Sequence, residues 1–132
     1  MCRVKTATFI LSLVMLLCFC GTAMAQMVTF ASSTFRTSSV GFSSAGKATF
    51  SATTTKNCAS IKVSSCTLQV KSGSSWNDAK LLTAPAGDTN CSSYYATKSY
   101  GSDLTSGKTY RLKAVFNADG NTVTCYSGEI SY

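Results

Sequence analysis

The cysteines at 58, 66, 91 and 125 are the side chains of this sequence best placed to do chemistry, and their company decides which kind. The chain contains no histidine, so no imidazole is present to activate a thiol as a nucleophile. The intervals of 8, 25 and 34 residues between successive cysteines include no C-x-x-C pair, which argues against zinc. An even set of cysteines in a short exported chain points instead to disulfides, and four cysteines allow three pairings. The acids Asp78, Asp88, Asp103, Asp119 and Glu129 are scattered singly. The four aspartates fall in predicted turns, where such side chains satisfy nearby backbone groups. Ser72, Ser74 and Ser75 flank Gly73 and read as loop residues, not as half of a Ser–Lys dyad. The glycines lack the G-x-x-x-x-G-K spacing of a phosphate-cradling loop. The residues therefore predict no catalytic group, no metal and no cofactor.

Export is read from residues 1–25. Arg3 and Lys5 precede an apolar run, 9–19, and Ala23-Met24-Ala25 offers the small-x-small site that signal peptidase cuts, leaving Gln26 as the first mature residue. The run is too short to span a bilayer core of about 30 Å, and no later stretch approaches the length of a spanning helix. Cys2, Cys18 and Cys20 leave with the signal. Lipidation at Cys18 or Cys20 would need a small residue just before the cysteine, where Leu17 and Phe19 stand. The expected mature chain is a secreted single domain, 26–132, with no integral membrane segment and with 26–44 as a loosely ordered start. Its ten Lys and Arg against five acids give +5, since Arg3 and Lys5 are removed from the whole-chain +7. The positive residues never form a run, which argues against a nucleic-acid partner.

The elements that must position these residues read as strands. Ser and Thr abound, Pro85 is the one proline, and short segments alternate between apolar and polar. Strands are expected near 28–30, 40–42, 48–53, 61–63, 66–71, 80–83, 94–100, 110–116 and 123–132. A Gly73-Ser74-Ser75 turn precedes Trp76, Pro85 to Asn90 reads as a loop, and Asp119-Gly120 supplies residues tolerant of positive φ for a closing hairpin. Strands without intervening helices predict an all-β, antiparallel sandwich of about seven strands.

Leu104-Thr105-Ser106-Gly107-Lys108-Thr109-Tyr110, followed by an alternating strand, resembles the E-to-F corner of fibronectin type III and immunoglobulin-like domains. The resemblance implies a buried Leu104 and a corner Tyr110 whose hydroxyl returns to nearby backbone. Over roughly 45–132 the chain is also similar to a group of small exported proteins, chiefly of Gram-positive bacteria, that carry this fold and imply no activity. The similarity rests on the segments 66–76, 98–100 and 109–114, and the cysteines depart from that group. In the implied topology, strands C, F and G put Cys66 and Cys125 two strand spacings apart, about 9.6 Å, too far for a bridge. Cys66 with Cys91 and Cys58 with Cys125 is then preferred over Cys58 with Cys66 and Cys91 with Cys125.

Exposed aromatics are the usual anchors of recognition, which singles out Trp76 and the pair Tyr94-Tyr95. In an alternating strand one of that pair must face outward. The reading is a non-catalytic binding or surface-associated module whose partner is a protein, a glycan or a cell-wall polymer. The alternative is a small antimicrobial or enzyme-inhibitory protein. Export predicts that the protein recovered from culture supernatant begins at Gln26, checked by its intact mass; a chain retaining Met1 refutes the cleavage.

Overall fold

A computed structural model describes residues 28–29 and 34–132. Ala23, Ala25 and Gln26 lie outside the described residues. The fold is all-β: β1 (Val28–Thr29), β2 (Phe35–Phe42), β3 (Lys47–Ser72), β4 (Ser75–Leu82), β5 (Asp88–Ser99), a single 3-10 turn at Gly101–Asp103, β6 (Thr109–Ala118), β7 (Asn121–Tyr126) and β8 (Ile130–Ser131). Every pairing is antiparallel, within one curled sheet. Among the described residues no helix is long and apolar enough to cross a membrane.

The dominant element is β3. Its 26 residues contain neither glycine nor proline and are rich in Ser and Thr, so nothing in the local chemistry ends it. Straight, it would reach about 86 Å, far beyond a domain whose radius of gyration is about 13 Å. It therefore bends. Its first part pairs with β2 on one edge and β5 on the other, and its last part with β4 and β6. The three strands expected within 48–71 are thus one.

Register shifts along β3 accommodate the bend, and the residues that face the core change phase twice. Ala48, Phe50, Ala52 and Thr54 are buried, then Ile61 and Val63, then Cys66 and Leu68. The later phase change falls where the β6 pairing slips between Val63 and Ser65. The Oγ of Ser64, the extra residue of this bulge, donates to the Val115 carbonyl at 3.1 Å. The earlier one falls at Ala59 and Ser60, where Asp119 from the β6–β7 turn stands in for a neighbouring strand. Asp119 Oδ1 accepts the Ser60 N–H at 2.9 Å and Oδ2 accepts the Ala59 N–H at 3.0 Å. The Asp119 N–H donates in turn to the Ser60 carbonyl at 3.2 Å. That turn has the expected Asp-Gly chemistry, with Asp119 at φ 49 and Gly120 at φ 89, the double left-handed conformation of a type I′ hairpin.

Other boundaries move for local reasons. Gly73, at φ 62, opens a two-residue turn between the paired Ser72 and Ser75, so Trp76 lies in a strand and not in the turn. β5 begins at Asp88, inside the segment expected as a loop, because Asp88 and Thr89 pair with Ile61 and Ser60. Residues 35–42, expected as part of a loose start, form a full strand that buries Phe35, Val40 and Phe42.

The core gathers Phe35, Phe50, Ile61, Leu68, Tyr94, Leu112 and Phe116, each worth roughly 1.5–3 kcal/mol when fully removed from water. Tyr94 meets Phe116 edge-on, with centroids 6.4 Å apart. Tyr110 is buried, and its hydroxyl accepts the Thr105 N–H at 3.0 Å while Leu104 packs half-buried against the same core.

All four cysteines are thiols in the structure. Cys91 stands directly opposite Cys58, a juxtaposition that differs from the preferred Cys66 with Cys91 and Cys58 with Cys125. Cys66 is opposite Ala114, and Ala114 is opposite Cys125, so a whole strand separates those two.

The two backbone N–H bonds, that of Ser60 first and of Ala59 next, hold the Asp119 carboxyl below its ordinary value of 3.8. A lowered folded-state value stabilises the fold above the unfolded value and loses that effect as pH falls through the folded one. Asp119→Asn is therefore expected to lower the urea midpoint at pH 7, with the gap to wild type closing below about pH 3.9. A gap that stays constant from pH 7 to pH 2 contradicts this.

Candidate functional site

The outward face of β4, β3, β6 and β7 carries the most organised set of exposed side chains. Register builds it: Gln69 on β3 lies between Asp78 on β4 and Arg111 on β6, Lys71 lies opposite Trp76, and Lys113 lies opposite Tyr126. Tyr126 is thus diagonal to Arg111 on the neighbouring β7, while Trp76, diagonal to Gln69, lies across β3 from Arg111 at the reach of a long side chain. The Arg111 guanidinium carbon is 4.4 Å from the centroid of each ring and so sits between the two. Lys71 Nζ approaches the Trp76 centroid at 5.6 Å and also bonds the Glu129 carboxylate at 2.9 Å.

Beneath the rings runs a polar chain. Arg111 Nε donates to Gln69 Oε1 at 2.8 Å, and Gln69 Nε2 donates to Asp78 Oδ1 at 2.7 Å. Only 7% of Gln69 is exposed, so its amide is fixed from both sides and holds the guanidinium in place. Arg111 keeps further N–H donors beyond the one that Gln69 uses, aligned with two flat apolar surfaces. Such a surface can stack on a planar or sugar ring and bond an anionic oxygen at once.

A concavity of about 270 Å³ lies where the ends of β4 and β5 meet, lined by Lys80, Leu82, Lys98, Tyr100 and Asp103 among others. Lys80 pairs with Asp103 across it. Tyr100 donates its hydroxyl to the Thr83 carbonyl at 2.7 Å, and Lys98 reaches the Ala84 carbonyl at 3.4 Å. Below it burial pushes the Cys66 thiol up to about 11, against the smaller opposing effects of its bond to Tyr100 and of nearby Lys98. Burial, followed by the proximity of Cys66, likewise pushes Tyr100 well above the ordinary phenol value. Both groups stay protonated at neutral pH, in a state suited to packing and hydrogen bonding rather than to nucleophilic attack.

The residues singled out from sequence do not form one site. Trp76 is half-buried within the Arg111 stack. Tyr95 is 67% exposed but projects from β5, opposite Ser51, on the other half of the sheet. Tyr94, also a binding candidate from sequence, is 1% exposed and donates its hydroxyl to the Ala86 carbonyl at 2.9 Å, so it is core and not contact surface. Arg111, Tyr126 and Gln69 were not singled out; the Asp119-Gly120 hairpin fixes the β6–β7 register and is the signal that sets Tyr126 beside Arg111. Among the described residues no three His, Cys, Asp or Glu side chains gather as a metal site would require. Comparison with protein-family models, with curated proteins and with solved structures finds no match.

The stack is a measurable unit. A double-mutant cycle of Arg111→Ala and Trp76→Ala, read by chemical denaturation, is expected to give a coupling of about 0.5–1 kcal/mol, typical of an exposed cation–π contact. Strict additivity would mean that the two side chains do not support one another.

Proposed function

We propose that this is an exported, non-catalytic binding module on an immunoglobulin-like or fibronectin type III-like β-sandwich, and that the face bearing Trp76, Arg111 and Tyr126 is its contact surface. The observation that carries the reading is the guanidinium held between two aromatic rings on an outward sheet face, with Gln69 and Asp78 fixing it from below. An arginine bound in this way has lost its conformational freedom before any partner arrives, which lowers the entropic cost of association.

The sandwich assignment is supported by the Tyr110 hydroxyl returning to the Thr105 N–H, the feature that the E-to-F corner resemblance implies. Cross-layer contact supports it too, since Ser38 Oγ on β2 lies 3.1 Å from Cys125 Sγ on β7. The partner we assign is an anionic glycan or cell-wall polymer. Lys71, Arg111 and Lys113 share this face, and a flexible polyanion needs cations spread over a face rather than clustered in a pocket.

Co-sedimentation of the purified protein with isolated bacterial cell walls tests this. Binding that is lost after chemical removal of the anionic polymer, and weakened roughly tenfold by Arg111→Ala or Trp76→Ala, equivalent to about 1.4 kcal/mol, is the expected result. Undiminished binding by both folded variants, or none by the wild type, overturns the assignment.

A further inference from the structure

We propose that Cys58 and Cys91 are a single oxidisable pair that closes into a disulfide tying β3 to β5, and that Cys66 and Cys125 remain thiols. The two-disulfide framework expected from the even cysteine count is thereby reduced to one bridge.

The register carries the argument. Cys58 and Cys91 are direct partners in the β3–β5 pairing, next to the irregularity that follows Thr53. Residues directly opposed in an antiparallel pair have Cα atoms about 4.5–5.5 Å apart and project to the same face. That interval lies within the roughly 4.4–6.8 Å over which disulfides form. Cys91 is half-exposed, so a reagent can reach it, whereas Cys58 is buried behind it.

The other two cysteines cannot reach one another. Ala114 stands between Cys66 and Cys125, which separates them by two strand spacings, about 9.6 Å. Cys66 shares a hydrogen bond with Tyr100, and Cys125 lies 3.1 Å from Ser38 Oγ. Burial raises the values of both thiols, so little of either is present as the thiolate that exchange requires. Eight residue steps of extended β3, about 26 Å of chain, separate Cys58 from Cys66.

The chemistry is two thiol–disulfide exchanges with an external disulfide, either a small molecule or a disulfide oxidoreductase. The Cys91 thiolate attacks one sulfur of that disulfide, which breaks its S–S bond and releases one thiol. The Cys58 thiolate then attacks the Cys91 sulfur of the mixed disulfide and releases the second thiol. Two protons leave with the two thiols formed, and the two electrons lost by the cysteine pair reduce the external disulfide. The pair is independent of what the outer face binds.

Trypsin separates all four cysteines, because Lys56, Lys62, Lys71, Lys80, Lys98 and Lys113 divide the chain between them. The purified mature protein is equilibrated with oxidised glutathione, unfolded in iodoacetamide and digested without reduction. The expected result is an intact mass about 2 Da lower than that of the reduced chain before alkylation. Peptide 57–62 should be joined to 81–98, with 63–71 and 114–132 each alkylated. A bridge that includes Cys66 or Cys125, or alkylation of all four cysteines, overturns the proposal. Cys91→Ser, treated in the same way, should show no internal bridge; a bridge between any two of its remaining cysteines overturns it as well.

Discussion

Almost everything in this fold depends on the need to pair both edges of one very long strand. β3 crosses the whole molecule, and each of its backbone groups must find a partner or water. The first part obtains them from β2 and β5 and the last from β4 and β6. At the crossing, where strand neighbours change, the Asp119 carboxylate supplies two acceptors. Curvature of the sheet is the result, because one strand belongs to two sets of neighbours.

The same crossing explains how much could be read from the sequence. The closing hairpin was legible because Asp119-Gly120 fixes it locally, as was the outward turn of one residue in the pair Tyr94-Tyr95. The continuity of β3 was not legible. Alternation along it changes phase at Ala59–Ser60 and again at Ser64, and each change looks like the end of one strand and the start of another. The Trp76–Arg111–Tyr126 stack was hidden for a different reason. It depends on Gln69 lying opposite both Asp78 and Arg111, a register set by long-range pairing and not by nearby residues.

The few acids also shape the surface. Asp103 holds Lys80, Glu129 holds Lys71, Asp78 is engaged by Gln69, and Asp119 is used by the backbone. These carboxylates act as local fasteners. Two of them cancel a lysine each, Asp103 with Lys80 and Glu129 with Lys71, while Asp78 and Asp119 are held by uncharged donors, and the modest positive balance of the chain carries over to its surface.

The shared strand also dictates an order of events as the chain is made. Lys47 pairs with Ser99, and Ile61 with Ala118, so β3 emerges long before the segments that complete its edges. Contacts of such sequence separation are slow to form, on the order of milliseconds to seconds. During that delay an extended, β-branched segment has open hydrogen-bonding groups that a second nascent copy could match. Lys56, Lys62 and Lys71 punctuate that segment, and like charges at these intervals oppose its stacking on an identical chain. Their value lies in the protein's first moments as much as in its finished form.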